Sequence, residues 1–261
     1  MSRQHEPWVF CFSSAALIHG IEVPRALLRE IHVNARGRAG HVRDKRLRIH
    51  AIRGMKSVEI DGVRVTDFWQ TVVDCLRTQP FSLSLAIADS ALRITGVTRD
   101  ELLSRVRTHG RGRPGYRRAQ ATAFWANGLA ENGGESRVRA FFIERGYPVP
   151  LIQVELPNPA EPWRTFRVDF YWELPDGRIV VGEFDGAVKY KEDAGDSLAS
   201  AVAGRAVGQV MYERQRESRL TLLGYPVLRF TYDDLLNPDR MEQLLAGAGI
   251  MPDLFEDRGV W

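Results

Sequence analysis

Three acidic residues stand close together in a stretch, Phe166 to Tyr190, that is typical of two strands joined by a turn. Asp169 lies in the first run, FRVDFYW, and the turn residues PDG separate it from the second run, RIVVGEFD. Alternate residues of a strand point to the same side, so Glu183 and Asp185 share a face that Asp169 can approach from the partner strand. Three buried like charges require a counter-ion, and oxygen ligands suit Mg²⁺ or Mn²⁺. The pattern predicts a metal site.

The residues around these acids favour that interpretation over three surface acids beside a hairpin turn. Gly186 follows Asp185 directly and allows a bend or a close approach to a ligand. Lys189 comes three residues later and is close enough to add a cation to the same site. Upstream, the run GGESRVRAFFIERG predicts a helix that begins at Gly134-Glu135.

The bulk composition is that of an ordinary globular protein of one or two domains. The chain has 261 residues, of which 44% are hydrophobic and 26% charged, with a formal net charge of +3. Its basic residues nevertheless cluster, at 36–53 and at 111–118. Clustered cations fit a polyanionic partner such as DNA, and the alternative is a solvated basic face.

The two cysteines, Cys11 and Cys75, exclude a disulfide framework and a cysteine-rich zinc site, and they indicate a reducing compartment. No apolar run reaches the length of a membrane span, and residues 1–12 lack the features of a secretory signal. We therefore expect a cytoplasmic protein that does not interact with membranes.

The order of predicted elements indicates an α/β fold. Short alternating runs between 29 and 65 predict strands, and helices follow, on two of which Asp74 and Asp89 are expected in capping or salt-bridge roles. The stretch HGRGRPGYRR, 109–118, is typical of an exposed linker or a phosphate-facing loop. It predicts two domains, 1–115 and 116–261, the second with a mixed sheet flanked by helices and the first a smaller α+β unit.

The C-terminal half resembles a known nuclease family. Four blocks in order, GGESRVRAFFIERGYPVPLIQVEL, FRVDF, VVGEFDGAVKY and YERQRESRLTLLGYPVLRFTYDDL, are similar to the restriction-endonuclease-like domain of very-short-patch-repair type, the DUF559 group of the PD-(D/E)XK superfamily. The resemblance covers roughly residues 119–240. It implies a metal-dependent endonuclease that hydrolyses phosphodiester bonds of DNA.

The resemblance also assigns roles to individual residues. Asp169, Glu183 and Asp185 match the metal-binding acids, and Glu135 matches the acid of the first helix, which implies that these four hold Mg²⁺ or Mn²⁺ and carry catalysis. Lys189 stands where related sequences carry a histidine or lysine, while the usual E-x-K is here Glu183-Phe184-Asp185. The resemblance further matches Gln153 to a recurrent glutamine and Arg216-Glu217 to an Arg-acid pair on a later helix.

The N-terminal half suggests a different function. The runs FSSAALIHGI and VRVTDFWQTVVDCLR resemble the antitoxin-like region of type IV toxin–antitoxin proteins of the AbiEi kind, over roughly residues 8–108. The alternative to an enzyme is therefore a non-catalytic, antitoxin-like DNA-binding regulator that retains a nuclease fold, in a defence or toxin–antitoxin context. A toxin or a second copy of the chain is the partner that such a context implies.

Overall fold

The computed structural model of the chain describes residues 8–35, 44–52, 54–158, 161, 163–186 and 224–252. The chain divides into two compact units, residues 1–140 with 259–261, and residues 141–258. The fold is α/β, as the sequence predicts, with two mixed sheets and flanking helices. The boundary expected at 115/116 lies inside the first unit. Lys189, Arg216 and Glu217 lie outside the described residues.

The first unit combines a five-stranded sheet with a group of helices. The sheet has the order β3-β2-β1-β5-β4, with parallel β1/β5 and β2/β3 pairs and antiparallel β1/β2 and β4/β5 pairs. Its strands are β1 Val9–Phe10, β2 Ile31–Asn34, β3 Leu47–His50, β4 Ser57–Ile60 and β5 Val63–Thr66. Its helices are α1 Phe12–Ile18, a 3₁₀ helix Arg25–Arg29, α2 Phe68–Thr78, α3 Phe81–Thr95, α4 Arg99–Gly110 and α5 Tyr116–Trp125.

Local capping sets the ends of these helices. The Asp67 side chain accepts a hydrogen bond from the Gln70 backbone N–H and begins α2. Thr98 and Glu101 form a reciprocal capping box that begins α4. Gly96, with φ of 69°, ends α3 in the left-handed conformation that glycine adopts without strain.

The connection between α4 and α5 is a tight turn packed on α2 and not the linker that its composition suggests. Gly115 has φ of 79°, and a Cβ there would lie 2.1 Å from the Arg77 carbonyl oxygen, so only glycine fits. Arg77 Nη1 donates to the Pro114 carbonyl at 2.6 Å, and the Arg113 guanidinium lies 3.6 Å from the buried Asp74 carboxylate. Gly115 and Gly110 of this stretch therefore serve close helix packing, whereas Gly112 has open space around it.

A buried ionic network centred on Asp89 fixes α3 to the start of α6, a helix that spans Gly133–Glu144. One carboxylate oxygen of Asp89 accepts from the backbone N–H groups of Asn127 and Gly128 at 2.9 and 3.1 Å. The other accepts from the Ser136 hydroxyl and from Arg139 Nη2, both at 2.8 Å. The salt-bridge roles expected for Asp89 and for Asp74, which pairs with Arg77, are confirmed.

A hydrogen-bonded histidine pair lies on the sheet of the first unit. His32 Nδ1 and His50 Nε2 are 2.9 Å apart, and the Phe12 ring packs on the His50 ring with centroids 4.4 Å apart. Such a bond requires at least one imidazole nitrogen to be an unprotonated acceptor. Burial lowers the pKa of His32 and of His50, opposed at His32 by Glu30 and reinforced at His50 by the His32 charge.

We expect this pair to make the first unit less stable in mild acid. Because both folded-state pKa values lie below the ordinary value of about 6.5, the unfolded chain takes up protons first as pH falls. The contribution of the neutral histidine pair to the free energy of unfolding is complete above about pH 6.5. It is lost as the pH decreases through the lowered folded-state pKa values. The measurement is the free energy of unfolding in urea at pH 7.5 and at pH 5.5. The difference between the two values should be smaller for the double variant His32→Gln, His50→Gln than for wild type. An equal difference would assign the acid sensitivity to other groups, such as His109, whose pKa burial also lowers.

The second unit is built on a four-stranded mixed sheet, β6-β7-β8-β9. Its strands are β6 Leu151–Pro157, β7 Thr165–Glu173, β8 Ile179–Asp185 and β9 Val227–Thr231, and two helices follow, α7 Tyr232–Leu236 and α8 Pro238–Gly247. The β6/β7 and β7/β8 pairs are antiparallel, whereas β8 and β9 run parallel. The acidic hairpin predicted from the sequence is the β7–β8 pair.

The aromatic core of the second unit fixes the register of these strands. Phe142, from the last turn of α6, packs edge-on against Phe170, Trp172 and Phe230, with ring centroids 6.0, 5.3 and 5.8 Å away. Gly182 lies beneath this cluster, and a Cβ there would lie 2.9 to 3.1 Å from the side chains of Phe230, Phe170 and Trp172. The absence of a side chain at 182 lets the strand before Glu183 pass under the rings.

No helix among the described residues is long and apolar enough to cross a membrane.

Candidate functional site

Asp169 occupies the point at which the β7–β8 ladder opens. The last registered backbone pair of this ladder is Phe170 with Gly182. One step further, the Asp169 carboxylate accepts the Phe184 backbone N–H at 2.7 Å. That N–H belongs to the peptide joining Glu183 and Phe184. The Asp169 carboxylate therefore lies directly beside Glu183, the residue that would continue the β7–β8 register. Asp169 is buried, with 9% of its surface exposed, and this charge-assisted bond offsets part of the cost of its burial.

On the other side of Asp169, strand β6 contains a backbone outlier. Gln153 has φ of 57°, left-handed and uncommon for a residue that is not glycine. It lies between the registered pairs Ile152 with Phe170 and Val154 with Val168, and is therefore opposite Asp169. Its Nε2 lies 3.4 Å from Asp169 Oδ1. Strained backbone of this kind is concentrated at functional sites. The conformation of Gln153 therefore supports a functional role for the neighbouring Asp169 carboxylate.

The parallel strand β9 adds a cation to this row. Glu183 is registered with Arg229, and Asp185 with Thr231. Arg229 is exposed, whereas its neighbours Leu228 and Phe230 are buried. Arg229 is not among the site residues predicted from the sequence, although it is the one charged residue in the run PVLRFTY. The parallel β8–β9 pairing, which brings it beside Glu183, is not encoded in any local pattern.

These positions form a row across the sheet of the second unit, which we call the carboxylate row. It crosses the four strands in the order Gln153, Asp169, Glu183, Arg229. Glu183 and Asp185 are both partly buried, on a strand that is otherwise apolar. An amide, two carboxylates and a guanidinium thus occupy neighbouring register positions.

The acids of the predicted site are divided between the two units, with Asp169, Glu183 and Asp185 on the sheet of the second unit and Glu135 at the start of α6. Within the described ranges, no three His, Cys, Asp or Glu side chains are arranged to hold a metal ion together. Glu135 belongs to the first unit, where its Oε2 accepts from the Glu131 backbone N–H at 2.8 Å and its Oε1 from Asn132 Nδ2 at 2.6 Å. These bonds connect the Glu135 carboxylate to the turn that precedes α6.

The donor set of the carboxylate row fits a magnesium ion. Mg²⁺ keeps several of its waters and is usually held by one or two carboxylates together with phosphate oxygens of a substrate. Asp169 and Glu183 supply hard oxygen donors at adjacent register positions, and Asp185 adds a third carboxylate two residues further along β8. The Phe184 N–H holds the Asp169 carboxylate in place, as a supporting hydrogen bond does for a ligand side chain.

The chain is similar to the uncharacterized proteins MT2308 and Rv2248 of Mycobacterium tuberculosis, from strains CDC 1551 / Oshkosh and ATCC 25618 / H37Rv respectively. Each is 27% identical over 243 residues, which is 91% of this chain and 80% of the relative. No protein-family model matches the chain, and no solved structure matches it.

Proposed function

We propose that the second unit is a metal-dependent nuclease that hydrolyses phosphodiester bonds of DNA, with the carboxylate row as its active site. The observation that carries the proposal is the position of Asp169, one step beyond the last β7–β8 pair and hydrogen-bonded to the Phe184 N–H, where Glu183 continues the register. Asp169 and Glu183 would hold Mg²⁺ or Mn²⁺, and Asp185 would complete the acidic face of β8. The resemblance to the very-short-patch-repair type of nuclease supports the same assignment.

Each residue of the row has a distinct role in this proposal. The bound metal would supply Lewis-acid polarisation of the scissile phosphate and lower the pKa of a coordinated water. Gln153 orients the Asp169 carboxylate from β6, while the Phe184 N–H orients it from β8. Arg229 takes the position of a cation that neutralises charge developing on the phosphate oxygens, a role that the sequence assigns to Lys189.

The proposal is tested by magnesium-dependent cleavage of supercoiled plasmid and of single-stranded DNA by the full chain. Glu183→Gln keeps the size of the side chain but removes a negative metal ligand, and should reduce the cleavage rate on the order of a hundredfold or more. Glu173→Gln is the matched control, because Glu173 is an exposed acid at the other end of the β7–β8 hairpin. It should cleave at the wild-type rate.

The opposite outcome favours the other function that the sequence suggests. If wild type cleaves neither substrate with Mg²⁺ or Mn²⁺, the second unit is a nuclease fold without catalysis, as expected for an antitoxin-like DNA-binding regulator. If Glu183→Gln and Glu173→Gln cleave alike, the row is not the active site.

A further inference from the structure

An exposed group of arginines lies where α4 ends and α5 begins, in the first unit. It comprises Arg107, Arg111, Arg117 and Arg118, all four exposed, and we call it the arginine surface. Between Arg99 and Arg118 the chain has seven arginines and two acids. The two acids, Asp100 and Glu101, are in the first turn of α4, at the far end of that helix from the arginine surface.

The charges of this surface are not neutralised by the part of the protein that the structure describes. None of its four arginines forms an ion pair with a described residue, whereas Arg113 beside them lies 3.6 Å from Asp74. Basic residues of the other cluster, 36–53, are partly neutralised where they are described, since Arg46 pairs with Asp44 and Arg48 with Glu30. Of the two basic clusters, the α4–α5 connection is therefore the one whose described arginines include four without an ion pair to a described residue.

The backbone beneath the arginine surface is rigidly held. Gly110 packs against Tyr116 and the Val73 side chain, with 3.2 Å from an added Cβ to each, and Gly115 packs on the Arg77 carbonyl. The Arg77 guanidinium bridges the Pro114 carbonyl and the Asp74 carboxylate. A preorganised backbone lowers the entropy lost on binding, because only the arginine side chains become ordered.

The position of two of these arginines adds to their affinity for an anion. Arg117 and Arg118 lie in the first turn of α5, which contains no acidic residue. The partial positive charge of a helix N-terminus is repelled by cations placed there. An anion bound by these side chains relieves that repulsion.

The chemistry of the surface favours phosphates of a double-stranded nucleic acid. Guanidinium groups match phosphate oxygens in a bidentate geometry, which lysine does not provide. Single-strand binding requires exposed aromatic rings on which bases stack, but Tyr116, the aromatic residue among these arginines, is half-buried. Insertion into a membrane surface requires adjacent apolar side chains, and the exposed Phe124 lies near the other end of α5, with Arg99 over its ring.

We propose that the arginine surface binds the sugar–phosphate backbone of duplex DNA without reading its sequence. The first unit would thereby hold the polymer on which the proposed nuclease acts, and in that respect the inference rests on the proposed function. Binding needs neither metal nor cleavage, so the two proposals fail separately.

The test is fluorescence anisotropy of a labelled 30-base-pair duplex, titrated with full-length protein in EDTA at several KCl concentrations. In the triple variant Arg111→Gln, Arg117→Gln, Arg118→Gln, each lost phosphate contact should reduce the slope of log K against log salt by about 1. The matched control is Arg25→Gln, Arg29→Gln, Arg64→Gln, which removes the same charge from exposed positions of the same unit. The control should keep the wild-type slope, and two unrelated duplex sequences should bind alike.

Three results would overturn the proposal. Equal slopes for the triple variant and wild type would show that these arginines do not contact phosphates. Tighter binding of a 30-nucleotide oligo-dT than of the duplex would assign the surface to single strands. Wild-type binding to phosphatidylserine vesicles but not to the duplex would make it a membrane surface. Circular dichroism checks that both variants are folded.

Discussion

Replacing Asp89 with alanine is expected to lower the free energy of unfolding of the first unit by about 3–5 kcal/mol, because it leaves a buried charge without its partner. The Arg139 side chain is only 4% exposed, and Asp89 is its carboxylate partner at 2.8 Å. The substitution also removes the acceptor of the Asn127 and Gly128 backbone N–H groups. Each buried donor left without an acceptor adds its own desolvation penalty.

The two cysteines report this unfolding directly. Cys11 and Cys75 are both buried in the first unit, and burial raises the pKa of the Cys11 thiol to about 12, so neither reacts while the unit is folded. In a urea series, the cysteines of Asp89→Ala should become reactive towards Ellman's reagent at a much lower urea concentration than those of wild type. Asp100→Ala, at an exposed position of α4, is the control and should open with wild type.

A second variant separates lost packing from the uncompensated charge. Asp89→Ala combined with Arg139→Met removes both members of the ion pair and should recover part of the loss. If Asp89→Ala alone changes the midpoint no more than Asp100→Ala does, the network does not stabilise the unit.

Replacing Asp169 with asparagine is expected to reduce the rate of metal-dependent cleavage on the order of a thousandfold, while the fold is retained. Asparagine is nearly isosteric, and its side-chain oxygen can still accept the Phe184 N–H. It has no negative charge with which to hold a hard cation. Wild type should gain about 1.4 kcal/mol of stability at a free Mg²⁺ concentration ten times its Kd, and the variant should gain much less.

The measurements are plasmid cleavage and thermal melting with and without Mg²⁺. Asp176→Asn is the matched control, since it makes the same change at an exposed residue of the β7–β8 turn, where Asp176 pairs with Arg178. A magnesium-dependent rise in melting temperature that is the same in Asp169→Asn as in wild type would remove Asp169 from the metal site. The duplex affinity of Asp169→Asn in EDTA should equal that of wild type, because the arginine surface is unchanged.

Local sequence patterns account for much of this fold. The PDG turn and the two strands around it are determined by neighbouring residues, and so are the helix starts at Asp67 and Thr98. The salt-bridge roles of Asp74 and Asp89 were also predictable, since acids on apolar helix faces require partners. These features depend on hydrogen bonds between neighbouring residues, or on the cost of burying a charge on an apolar helix face. Both can be recognised in a short stretch of sequence.

The remaining features depend on contacts between distant segments. Arg229 lies beside Glu183 only because β9 pairs in parallel with β8, and residues 186–226 separate the two strands. Gln153 adopts a left-handed backbone opposite Asp169, and glutamine gives no local signal for it. The stretch 109–118 has the composition of a linker, yet Gly110 and Gly115 serve the close approach of α2. Composition cannot distinguish these two uses of glycine.

The parallel β8–β9 pairing has a consequence for biosynthesis. While the chain is being translated, β6, β7 and β8 can form their antiparallel meander, but the second edge of β8 stays open until Val227–Thr231 has left the ribosome. That edge carries the apolar run Ile179–Gly182. At about 5–20 residues per second, synthesis of the intervening segment leaves it exposed for seconds. Nascent chains that stall before residue 227 would therefore be the species most in need of a chaperone.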